Sequence, residues 1–232
     1  MSRPAAPRAN DPTSRRCRLG VVFLCCSAVF SLVSASANAQ TYSAECRIER
    51  LTTTPAARNT AGALGNPPEH LNDSEITKTS ECLSSALDRA LALVRDAAVA
   101  RTKSWTAMSS GYRASEHGTY LQVFANPQAA GSYALYEDGA RMDVGSTIIK
   151  RAFRVEIDGR TRPYRIYIME RMPPGYEVKL NDWRFAAYEA NGALVGETGG
   201  RQNERVRFCA ECHQAARTQD FLFFVPPKYR FQ

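Results

Sequence analysis

From residue 80 onward, apolar and polar positions alternate with the period of a helix. In "SECLSSALDRALALVRDAAVAR" (80–101), Leu83, Leu87, Leu91 and Val94 recur at spacings of four, four and three, which lines up one apolar helical face. The pattern predicts a helix that starts at a polar cap near Thr79 or Ser80 and runs to about Lys103. Beyond it the period drops to two. "TYLQVFA" (119–125) alternates and carries β-branched and aromatic residues, so it predicts a strand. Asn126 and Pro127 then supply a cap and first-turn proline for a short helix to about Tyr136. "STIIKRAFRVEI" (146–157), "PYRIYIME" (163–170), "DWRFAAYEA" (182–190) and "ALVGE" (193–197) follow as strands. Asp158-Gly159 closes the first of these and Asn191-Gly192 links the last two, turn pairs that join antiparallel neighbours. The pattern gives an α+β class with β predominating: an antiparallel sheet, a long N-terminal helix, and a short C-terminal helix around residue 210.

The N-terminus reads differently. Arg15, Arg16 and Arg18 precede an apolar stretch from Leu19 to Val33, followed by "SASANAQ" with Ala37 and Ala39 in the small positions. This is the layout of a secretory signal peptide cleaved after Ala39; an uncleaved anchor, the alternative, needs a longer apolar run. Residues 1–39 are therefore expected to be removed on export to the periplasm. Residues 40–72 then form an N-terminal arm whose "TTTPAARNTAGALGNPP" (52–68) lacks periodicity and reads as loop, and 73–232 form one domain. The leader takes Cys17, Cys25 and Cys26 with it, together with five arginines and one aspartate, so seven cysteines become four and net charge falls from +7 to +3. The remaining basic residues are scattered among acidic ones, so no nucleic-acid partner is expected.

Those four cysteines carry the chemistry. "RFCAECHQAA" (207–216) places Cys209 and Cys212 three apart with His213 directly after. Paired thiols at this spacing serve zinc knuckles, redox sites and haem attachment, and only the last requires the adjacent histidine. The thiols add across the two vinyl groups of a haem and the histidine becomes the proximal iron ligand. One covalent haem c, with His213 as its metal ligand, is the expected cofactor. Cys46 and Cys82 remain, an even pair that an oxidising space would join as a disulfide. A zinc site using all four cysteines is the rival and leaves His213 without a role.

From about Trp105 to Phe224 the chain resembles the cytochrome P-460 family of exported c-type haem proteins. The resemblance is carried by "SW" (104–105), "VFANPQAAGSY" (123–133), "GSTIIKR" (145–151), "DWRFAAYEANG" (182–192) and "CAECHQAARTQDFLF" (209–223). It implies a small antiparallel β protein that pairs as a homodimer. It also implies a lysine bonded through its nitrogen to the porphyrin edge. That lysine lies five residues after a glycine, as Lys150 lies after Gly145. Strand alternation lets Lys150 face the haem while Arg151 faces water. A distal carboxylate is a further family feature. Counting back from Trp183 without gaps puts Tyr167 at its position, with Glu170 three residues on and on the other face. Lys150, Tyr167 and Glu170 are thus the candidate catalytic residues, and Tyr167 is a poor base for that role.

Function turns on the side of the iron opposite His213. Closure by Met108, Met142, Met169 or Met172 would make a plain electron carrier. An open site, which the resemblance implies, leaves two readings. One is oxidation of hydroxylamine or nitric oxide, with electrons passed to an acceptor such as a small cytochrome. The other is binding of nitric oxide or carbon monoxide in a pocket crowded by phenylalanines, with Phe124 and Phe153 as candidates. His117 is a further candidate ligand and His70 has no evident partner.

Overall fold

The computed structural model describes residues 46–48, 71–116, 118–138, 141–156 and 158–231. The expected signal peptide and its expected cleavage site, residues 52–68, His70 and His117 lie outside these residues. The first helix begins earlier than the apolar period predicts. Asn72 accepts from the Glu75 amide while Glu75 reaches back to the Asn72 amide, a reciprocal cap that starts α1 (Asp73–Cys82). Leu83 keeps right-handed dihedrals, and its amide bonds Thr79 O while Leu87 N bonds Leu83 O. The coil therefore carries through into α2 (Ser84–Leu93). It stops at Val94 rather than Lys103. Asp96 instead turns inward to cap a separate turn, α3 (Ala97–Arg101), so a tertiary contact overrides local helix preference.

The remaining elements form an antiparallel sheet of seven strands. Two-residue strands β1 (Thr106–Ala107) and β2 (Arg113–Ala114), too short to show alternation in the sequence, both pair with β3 (Tyr120–Ala125). After α4 (Pro127–Tyr133), capped by Asn126 as predicted, come β4 (Thr147–Val155), β5 (Thr161–Arg171), β6 (Trp183–Glu189) and β7 (Leu194–Glu197). The order is β1-β3-β4-β5-β6-β7. Gly159 and Gly192 sit at φ +78° and +82°, the region that glycine enters without penalty. Gly196 is required for another reason: a Cβ there would lie 2.4 Å from the Gln202 carbonyl oxygen. The chain folds back over β7 at that contact and enters α5 (Arg207–His213).

Both sheet faces are covered, by different layers. On one, Ile149, Ile166 and Ile168 pack with Val94, and Tyr120 and Phe153 pack with Ile76, Leu83 and Leu87. Cys46 and Cys82 are disulfide-bonded within this layer. On the other, Val123, Ile148, Met169, Trp183 and Phe185 pack with Phe221, Leu222 and Val225. An ionic cluster is buried on the helix side. Arg184 of β6 bonds Asp96 at 2.8 Å, Glu170 at 2.9 Å and Glu197 at 3.1 Å, and Tyr188 donates to Asp96 at 2.9 Å. Arg184 is thereby held more firmly charged, since the carboxylates outweigh its burial. Among the described residues no helix is long and apolar enough to cross a membrane.

Candidate functional site

The period of α5 sorts its side chains. Cys209, half-buried, and His213, 9 % exposed, are four apart and face the sheet, while Phe208 and Cys212 are exposed. Residues four apart lie one above the other on a helix. A 3₁₀ segment, Gln214–Gln219, then leads to Asp220 and Phe221. The Nδ1 of His213 lies 2.6 Å from the Phe221 carbonyl. A carbonyl only accepts, so Nδ1 carries the proton and Nε2 carries the lone pair in the neutral ring. The ring is packed by Phe185 on the sheet and Phe223 on the following chain, each with centroids 5.0 Å away.

β4 and β5 supply Lys150 and Tyr167 on the face turned toward Cys209. Lys150 alternates with Ile148 and Ala152, which face this layer, and its partner across the ladder is Tyr167. Tyr167 and Cys209 both pack against the cluster of Ala187, Val195 and Val206. Lys150 is pushed down to about 8, first by burial and then by the Arg113 guanidinium, against the opposing influence of Glu116, Cys209 and Cys212. Its amine is therefore part neutral near pH 8. Burial pushes the Cys209 thiol up to about 11, with Lys150 and Arg165 pulling the other way, so it is protonated at neutral pH. Burial likewise raises the Tyr167 phenol above its ordinary value, which makes it a hydrogen-bond donor rather than a base.

Other candidates lie elsewhere. Glu170 is on the opposite face, 5 % exposed and paired with Arg101 and Arg184, so it does not join Lys150 and Tyr167. A cavity of about 660 Å³ beside it, lined by Arg95, Arg101, Arg184 and Glu197, contains none of the residues around Cys209. Phe124 and Phe153, proposed above as crowding the iron, also belong to the helix side. Phe124 lies under the Arg151 guanidinium at 4.2 Å, and Phe153 stacks on Tyr120 at 5.0 Å. Their neighbours Val123 and Ala152 take the Cys209 side, and alternation assigns the phenylalanines to the other. Arg151 departs from its expected place in water: it pairs with Asp88 of α2 at 2.5 Å with its side chain 15 % exposed. Met108, Met142 and Met169 are packed in the core, and Met172 borders the cavity beside Glu170.

The donor set suits a haem c. Cys209 and Cys212 are free thiols one turn apart, and the adjacent histidine has its tautomer fixed for metal binding through Nε2. The four cysteines do not converge, since Cys46 and Cys82 are bonded to each other in the helix layer. Among the described residues no cluster of three or more His, Cys, Asp or Glu is placed to hold a metal ion. Sequence reading did not single out Arg113 of β2 and Glu116 of the β2–β3 connection, which act on Lys150, or Phe185, which buttresses His213. The "DFLF" run gave a signal for Phe223, but nothing in it marks a backbone carbonyl as a partner.

No curated protein matches the chain. A family model described as Cytochrome P460 matches residues 100–224, a span that begins within α3 and ends after the His213 contacts. That match covers more than half of the 232 residues, and the chain belongs to the cytochrome P460 family of c-type haem proteins.

Proposed function

We propose that the protein is an exported mono-haem cytochrome that oxidises hydroxylamine or nitric oxide and passes the electrons to a small acceptor protein. The observation that carries the reading is Lys150, a lysine with a depressed pKa on the face of Cys209. Cys209 and Cys212 are suited to add, as S–H, across two vinyl groups, a step with no net oxidation. His213 offers Nε2 as proximal ligand, its Nδ1–H held by Phe221. A haem held by these residues supplies an iron that binds a small nitrogen species and accepts its electrons. Lys150, as neutral amine, can form a nitrogen–carbon bond to the ring edge. That bond replaces one N–H and one C–H, so it needs a two-electron oxidant from outside the chain. Tyr167 can donate a hydrogen bond toward the same space. Periplasmic location after cleavage at Ala39, and pairing as a homodimer, complete the reading and rest on the leader sequence and the resemblance.

A second reading has its own support. Glu170 is committed to Arg101 and Arg184 on the far face, and Glu116, the carboxylate acting on Lys150, is exposed. A site with no buried carboxylate among the described residues favours binding of nitric oxide or carbon monoxide without turnover. Steady-state hydroxylamine oxidation by the purified haem-loaded protein, with an artificial electron acceptor, separates the two. Turnover is the expected result. Tight gas binding by the reduced protein without turnover would overturn the oxidase in favour of the binder.

A further inference from the structure

We propose that Asp220 is a positioning residue for His213, acting through the backbone of Phe221. The inference rests on the haem reading above. Asp220 (φ +52°) and Phe221 (φ +62°) are successive left-handed residues, and neither is glycine. Residues with a Cβ avoid that region, so contacts from outside must hold the turn. The Asp220 carboxylate makes them. Oδ1 accepts from Arg171 Nη1 at 3.0 Å and from Asn181 Nδ2 at 2.5 Å, and Oδ2 accepts from the Met142 amide at 2.9 Å.

These partners come from the sheet side of the molecule. Arg171 ends β5, and Met142 lies on the approach to β4. The side chains of Arg171 and Asp220 are 9 % and 8 % exposed, so the pair works at low dielectric. The Arg171 guanidinium also stands 5.7 Å from the Trp183 ring, which restricts it further. The Phe221 amide donates to Ala216 O at 2.9 Å, leaving its carbonyl as the acceptor for His213 Nδ1–H. Within "DFLF" the duties are thus separate: Asp220 fixes the turn, the Phe221 carbonyl orients the imidazole, and Phe223 packs on its ring. A hydrogen bond at one imidazole nitrogen sets the tautomer, orientation and donor strength of the other. The anchor therefore sets how strongly His213 donates to iron.

The test uses the haem-loaded protein, its reduction potential, and the iron–histidine stretching frequency of the ferrous state by resonance Raman. Asp220→Ala should lower the frequency and move the potential positive, because a loosened acceptor weakens the donor. Asp220→Asn keeps an acceptor oxygen without the charge and should give intermediate values; it also carries the test if Asp220→Ala does not accumulate. A role confined to stability would lower the unfolding midpoint of these variants and leave frequency and potential at their wild-type values, which overturns the proposal. Absence of any haem signal in the wild type would overturn the haem reading itself, before a variant is compared.

Discussion

Lys150 of β4 stands directly across the ladder from Tyr167 of β5, on the face where Tyr167 and Cys209 pack against one buried cluster. Replacing Lys150 by leucine removes the amine and leaves both thiols in place. Lys150→Leu should retain covalent haem, show the Soret band of an ordinary c-type haem where wild type lies to the red, and lose hydroxylamine oxidation while still binding nitric oxide. Tryptic digestion of wild type should yield one haem peptide joining the Cys212 and Lys150 segments. Identical spectra for the two proteins would make Lys150 a bystander.

Attachment through both thiols makes a separate prediction. In Cys209→Ala/Cys212→Ala made together with Lys150→Leu, acid-acetone extraction should carry the haem colour into the organic phase, whereas in Lys150→Leu alone and in wild type it should stay with the protein. Each single variant should hold its haem through the other cysteine. Free extraction from wild type would contradict thioether attachment.

Arg184 neutralises a cluster of carboxylates under the helices, two of which, Asp96 and Glu170, have side chains only 2 % and 6 % exposed. Arg184→Met strands those buried charges and should destabilise the fold by about 3–5 kcal/mol, read as a lower urea midpoint. The exposed Lys228–Asp73 pair offers the control, and Lys228→Ala should leave the midpoint unchanged.

Glu156 governs part of the acid limb. Its carboxyl is lowered from 4.5 to about 2, chiefly by the Arg154 hydrogen bond and further by Arg162. A depressed carboxylate stabilises the fold fully above its unfolded pKa and loses that contribution as pH falls through its folded one. The loss should therefore run from about pH 5 down to pH 2. With solvent screening, Glu156→Gln should cost about 1–2 kcal/mol at pH 7 and flatten the stability curve across that window. An unchanged acid limb in urea titrations would show that the arginines contribute nothing there.

The parts legible in the sequence were those set by local chemistry. Asn126-Pro127 announces α4, Asp158-Gly159 and Asn191-Gly192 announce hairpins, and Cys-x-x-Cys-His announces its own ligand set. Misreadings arose where a polar cap lay ahead of the apolar period or where tertiary contact decided. The start of α1 rests on the Asn72–Glu75 cap, ahead of the first residues of the apolar period. Its continuation ends early because Asp96 is drawn to Arg184. Phe124 and Phe153 were assigned by chemistry without regard to parity, and parity placed them under the helices. Arg151 had the right face but the wrong surroundings, since nothing local foretells that Asp88 of a distant helix will meet it.

Lys150 and Arg151 are neighbours in sequence that serve opposite layers. Inserting or deleting one residue in β4 upstream of them would exchange their duties, sending the arginine to the thiols and the lysine to Asp88. The strand should therefore accept many substitutions yet reject any odd change of length between Gly145 and Lys150. When further chains of this kind are aligned, an unbroken count of five from that glycine is a sounder guide to a cross-linking lysine than the lysine's mere presence in the strand.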